Sequence, residues 1–187
     1  MKSPVALIIA VGASILISAC ARSETDDAAS EEPTVAAVAA QPDTTGAAMW
    51  AYLQEVGYQS NWQPWPGKGE LYRGQEPHGM LLTTYLNDVA TSALTAQSGS
   101  MPEGAIVVKE NYMPDSTLAA VTVMYKRSGY NPEHNDWFFT KHLPSGELDQ
   151  TPTGMPMEGR LAGCQNCHSA VSANDYIFTG SLGEEGQ

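Results

Sequence analysis

The sequence predicts an α+β fold, a mostly antiparallel β-sheet with flanking helices, closed by a C-terminal segment that carries the chemistry. Three observations predict it. Between residues 80 and 143, four segments rich in β-branched and aromatic residues follow one another with period-two alternation. They are joined by turn-rich stretches without long crossover helices, which favours antiparallel over parallel pairing. A helical pattern precedes them, and another opens around a C-x-x-C-H motif near the end of the chain.

The chain begins with a segment that is not part of this fold. Residues 1–19 read as an export signal, with Lys2 at the positive end and an apolar run ending in small residues. That run is short for a spanning helix and is followed by an acidic, polar stretch. Ile17, Ser18, Ala19 and Cys20 resemble the bacterial lipoprotein processing box, in which Cys20 receives lipid and becomes the mature N-terminus. An ordinary signal peptide, or an anchor with an incidental cysteine, is the alternative. In residues 20–44, Glu24, Asp26, Asp27, Glu31, Glu32 and Asp43 stand against one base, Arg22, with no aromatic residue. This is the composition of a disordered acidic linker.

Residues 45–187 form one expected domain. Thr44 or Thr45 caps a helix over AAMWAYLQEVGY, with Met49, Leu53 and Val56 on one face and Trp50 close by. Prolines and glycines break the next stretch, which holds Trp62, Trp65, Tyr72 and His78. These rings would cover the edge of a bound group or pack beneath a loop. GMLLTTYLN reads as a strand and DVATSALTA as a short helix or turn. In the second strand, AIVVKENY, Ala105, Val107 and Lys109 share one face and Ile106, Val108 and Glu110 the other. TLAAVTVMYKR places Ala119, Val121, Val123 and Tyr125 on one side; DWFFTKHL sets Trp137 and Phe139 against Phe138 and His142. A polar stretch containing Met155 and Met157 leads to a helix over LAGCQNCHSAV, followed by Tyr176 and Phe178.

Cys164, Gln165, Asn166, Cys167 and His168 form the attachment signature for c-type haem. Each thiol can add across one porphyrin vinyl group while His168 ligates the iron. A zinc site would need a further ligand, and a redox dithiol is usually found near the start of a βαβ unit. The three cysteines are then assigned, one to lipid and two to haem, with none left for a disulfide. Covalent haem of this type is attached outside the cytoplasm, in agreement with the export signal. A net charge of −12 makes nucleic acid an unsuitable partner and is compatible with a basic redox partner. Lys109 lies on an apolar face, where a lysine must snorkel, pair, lose its charge or react.

MPEGAIVVKE, GYNPEHNDWFF, CQNCH and NDYIF, in that order, resemble the cytochrome P-460 family, which includes the cytochromes c′-beta. The resemblance covers roughly residues 45 to 182. It implies an antiparallel sheet with flanking helices, a homodimer, and one haem c with an open distal side. In catalytic members a lysine of the V-K-E strand bonds to the porphyrin and hydroxylamine is oxidised; Lys109 stands at that place. Family comparison puts a distal carboxylate at or beside Gly159, so Glu158 is the nearest candidate base, against a default of a solvated loop glutamate. His142 and Glu110 are further candidates.

The expected function is a periplasmic mono-haem protein that oxidises hydroxylamine or a related small nitrogen compound and passes electrons to a soluble redox partner. One alternative is a non-catalytic electron carrier, with Met155, Met157 or His142 as sixth ligand. Another is a cytochrome c′-beta-like protein binding nitric oxide or another diatomic gas under a phenylalanine cap. Phe138, Phe139 and Phe178 all lie late in the chain, so Met80, Leu82 or Met101 would have to fill that space. A lipid anchor at the periplasmic or cell surface is expected. Ala21, where inner-membrane retention uses aspartate, favours the outer membrane.

Overall fold

A computed structural model describes residues 40–183; the expected signal at 1–19, Cys20 and the linker as far as residue 39 lie outside the described residues. Helix α1 (Gly46–Val56) begins where extended Thr45 accepts a hydrogen bond from Ala48 N at Oγ1. It ends at Gly57, whose φ of 58° lets its N–H turn back onto the carbonyls of Leu53 and Gln54. A one-turn helix, α2 (Tyr58–Asn61), follows.

The sheet contains β1 (Gln63–Pro64), β2 (Tyr72–Arg73), β3 (Leu81–Leu86), β4 (Ile106–Tyr112), β5 (Leu118–Lys126), β6 (Trp137–His142) and β7 (Glu158–Gly159). Every pairing is antiparallel, in the order β1-β3-β4-β5-β6-β7, and β2 also pairs with β3. Helix α3 (Asp88–Thr95) is capped by Asn87 and lies between β3 and β4. Helix α4 (Ala162–His168) follows β7 and runs into a 3-10 segment, Ser169–Asn174. The α+β expectation holds, including the four long strands and three longer helices.

Alternation divides the sheet into two buried faces. On one, Ile106, Val108, Val121, Val123, Tyr125 and Phe138 pack against Met49 and Leu53 of α1. On the other, Val107, Trp137 and Phe139 pack with Ala90 and Ala93 of α3, and with Met101, Tyr176, Ile177 and Leu182. Both faces exclude water, which is why the strands carry apolar residues at successive positions.

Glu110 belongs to the α1 face and is buried there. Its carboxylate accepts from Tyr58 Oη at 2.8 Å, Tyr112 Oη at 2.6 Å and Gln59 Nε2. His142 lies on the same side, fully buried against Trp50 with ring centroids 5.0 Å apart. Its Nδ1 meets Gly146 O and its Nε2 meets Thr140 Oγ1, each at 3.1 Å. Both residues are therefore structural, and neither is available as a base or an axial ligand.

Three local expectations change. The stretch read as irregular contributes α2, β1 and β2. A bulge between Asn111 and Tyr112 shifts the register, so exposed Ala119 leaves the face of Val121 and Val123. Gln41, expected in the linker, also contacts the sheet: its Oε1 accepts from Tyr125 Oη at 3.2 Å and from Arg127 at 3.0 Å. No described helix is long and apolar enough to cross a membrane.

Leu53, with no exposed surface, holds α1 to the sheet. Leu53→Ala should lower unfolding stability by roughly 2–5 kcal/mol in chemical denaturation. A loss within experimental error would show that this contact does not hold the helix.

Candidate functional site

The antiparallel register aligns rows of side chains across the face opposite α1. Val107, Met124 and Phe139 form one row, Lys109, Thr122 and Lys141 the next, and Asn111 and Ala120 a third. A cavity of about 870 Å³ opens over these rows. Its remaining walls come from the loop Glu76–Gly79, the segment before α4, and α4 itself. The volume lies in the range of pockets that bury a cofactor-sized ligand.

Cys164, Cys167 and His168 all line this cavity. Their spacing of three and four residues sets them on one face of α4. Cys164 is half-buried, and burial pushes its thiol up from its ordinary value; Cys167 is exposed, and neither is in a disulfide. His168 stands over the first row, edge-on to Phe139 at 5.7 Å and to Phe178 at 5.3 Å.

His168 Nδ1 lies 2.7 Å from Tyr176 O. A carbonyl can only accept, so Nδ1 carries the hydrogen and Nε2 keeps its lone pair. Burial is the largest effect and favours the neutral ring; the Tyr176 hydrogen bond opposes it, and Lys109 adds a smaller push towards the neutral form. This is the arrangement expected of a metal-ligating histidine whose orientation is set by its other nitrogen.

The carbonyl of Tyr176 is itself held. Asp175 and Tyr176 have φ values of 48° and 68°, uncommon for non-glycine residues. The buried Asp175 carboxylate accepts from Met101 N at 2.7 Å, Asn135 Nδ2 at 2.9 Å and Lys126 Nζ at 2.7 and 2.9 Å. Trp137 Nε1 donates to Asp175 O at 2.9 Å. These bonds hold the chain in its left-handed turn.

Lys109 lines the cavity from the middle row, and burial lowers its pKa to about 8. Among the described residues no salt bridge includes it. Glu158 also lines the cavity, but it is not a solvated loop residue: it lies in β7 opposite Thr140, and its Oε2 accepts from Gly46 N at the start of α1. Met155 and Met157 border the same space, whereas Met80, Leu82 and Met101 do not.

Of the early aromatic residues, only His78 reaches the cavity. Trp62 packs on the α1 side, Trp65 in the opposite core, and Tyr72 Oη meets Thr84 Oγ1 at 2.7 Å. His78 contacts Asn111, and its pKa is lowered to about 4 by burial, with Lys109 and His168 adding to the effect.

The residues fit a covalent haem: two thiols and a histidine with a fixed lone pair face one large cavity. No cluster of three or more His, Cys, Asp or Glu side chains suited to a metal ion occurs among the described residues, so the zinc alternative lacks a ligand set there. The CQNCH pair lies in a helix after an antiparallel sheet, not in a βαβ unit.

Two outcomes test this geometry. Asp175→Ala should cost roughly 3–5 kcal/mol of unfolding stability, because Lys126 loses its buried partner. For Lys109, the unfolded chain binds more protons than the folded chain between pH 8 and 10.5. Stability of the cofactor-free chain should therefore rise across that window. Lys109→Met should add about 1–3 kcal/mol at pH 7 and little at pH 11, as measured by denaturation.

A comparison with family models matches residues 59–179 to one described as Cytochrome P460. No curated protein matches the chain.

Proposed function

Because the chain belongs to the cytochrome P460 family, a haem redox family, we propose that its cavity holds one haem c and that the protein oxidises hydroxylamine or a related small nitrogen compound. Cys164 and Cys167 would hold the porphyrin through thioether bonds, and His168 Nε2 would ligate the iron. The observation that carries the reading is that these three residues and Lys109 face one cavity. Bound haem supplies an iron that accepts electrons one at a time.

The protein's own groups then have distinct tasks. Tyr176 O keeps the proton on His168 Nδ1, so Nε2 remains a lone-pair donor. Lys109 Nζ is proposed to bond covalently to a porphyrin carbon, the amine and the carbon each losing a hydrogen to an external two-electron oxidant. Glu158, which borders the cavity, is the proposed acceptor of the substrate's proton; reaching it requires the carboxylate to leave Gly46 N at the start of α1. Electrons would leave to a soluble redox partner. Within the same proposal, the export signal and lipidated Cys20 tether a homodimer at the periplasmic or cell surface, with the outer membrane favoured.

A gas-binding role under a phenylalanine cap has less support. Phe139 lines the cavity beside His168, while Phe138 lies in the α1-side core. An electron-carrier role is favoured by one feature, the position of His78 facing His168.

Purified exported protein should show a strongly red-shifted ferrous absorption band that is lost in Lys109→Ala. Glu158→Gln should slow hydroxylamine consumption with an artificial acceptor by roughly 10²-fold. An ordinary c-type spectrum in the wild type would remove the Lys109 bond, and no hydroxylamine consumption would remove the assigned activity.

A further inference from the structure

We propose that His78 is the second axial ligand of the resting protein, so that a substrate must displace its imidazole to reach the iron. This inference rests on the haem-binding reading of the cavity and concerns the wall opposite α4.

The rows of the sheet place the two histidines on either side of a slot. His168 lies against Phe139 in the first row. His78 Nδ1 lies 3.2 Å from Asn111 Oδ1 in the third row and 3.4 Å from Thr122 Oγ1 in the middle row. Lys109 belongs to that middle row, so His168 stands over the first row and His78 over the middle and third rows of one face that also carries the lysine.

Their separation decides what fits. The ring centroids are 6.1 Å apart and the ring planes cross at 90°. A metal–imidazole bond of about 2 Å places the centroids of two imidazoles on opposite sides of one ion about 6 Å apart. A substrate bound to the metal and hydrogen-bonded to His78 would widen that spacing by roughly 3 Å. The observed distance suits direct ligation and leaves no place for a molecule in between.

The tautomer agrees. Asn111 Nδ2 donates to Lys109 O at 2.9 Å and to Ala120 O at 3.1 Å, which fixes the amide and turns Oδ1 to His78. Oδ1 accepts only, so His78 Nδ1 carries the hydrogen and Nε2 holds the lone pair. His168 is arranged in the same way by Tyr176 O. Gln75, Glu76 and Pro77, which lead into His78, are exposed, so its release moves a surface loop and leaves the core undisturbed.

The test uses exported holoprotein, with haem content measured first. Ferric wild type should be low-spin, with the highly anisotropic electron paramagnetic resonance signal of perpendicular imidazoles. His78→Ala should become high-spin, bind azide about tenfold more tightly or better, and return to low-spin on addition of imidazole. His78→Met should stay low-spin with a sulfur-ligand absorption signature, which a merely structural histidine would not give. A high-spin wild type with normal haem content overturns the His78 assignment alone. So does a low-spin spectrum unchanged in His78→Ala, which would point to Met155 or Met157. Absence of covalent haem from the wild type would overturn the haem reading itself.

Discussion

The buried carboxylate of Asp175 is the point on which the rest of the site depends. A desolvated charge is costly unless it is paired and hydrogen-bonded. Here one side chain collects donors from three separate parts of the chain: Met101 before β4, Lys126 at the end of β5 and Asn135 before β6. The next residue, Tyr176, presents the carbonyl that orients His168. The carboxylate thus fixes a C-terminal segment to the sheet and, one residue later, sets the proton position on the His168 imidazole. Without it α4 would still carry CQNCH, but nothing would hold its histidine at a defined angle to the slot.

Lys109 shows the opposite balance. It stands on a buried face without an acidic partner among the described residues, and burial lowers its affinity for a proton. Nothing in the fold requires an amine at this position, and an apolar residue of similar length would be less costly there. Such a local conflict with packing is what a reactive site produces. The neighbouring acid, Glu110, is satisfied in every respect and buried on the other face, so it cannot relieve the lysine.

Much of this was readable in the chain because it depends on short spacing. CQNCH is legible as a haem-attachment signature because that reading depends only on the order of two thiols and a histidine, and the alternation of β4 gives Lys109 its face. The same alternation already separated Glu110 from that face, whereas His142 lies in β6 and only the register with β5 puts it on the α1 side. His78 was legible only as one of four rings that would cover a bound group or pack beneath a loop. It sits in a proline- and glycine-rich stretch without periodicity, and its meaning depends on Asn111, which comes opposite it only through the β4–β5 register. Ala119 escaped for a related reason, since a bulge resets alternation without a local signal. Gln41, read as linker, likewise contacts Tyr125 and Arg127, which composition cannot report.

The two-sided sheet has a consequence for how this protein can change. The residues that shape the slot, Val107, Lys109, Asn111, Thr122 and Met124, alternate along the same strands with those that pack against α1. They share a backbone, yet the two sets of side chains are separated by the thickness of the sheet. Substitutions on opposite faces with no common partner tend to add independently. Reactivity can therefore drift, residue by residue, across one surface of β4 and β5 while the other preserves the fold, and the strands serve as a partition between what evolves and what endures.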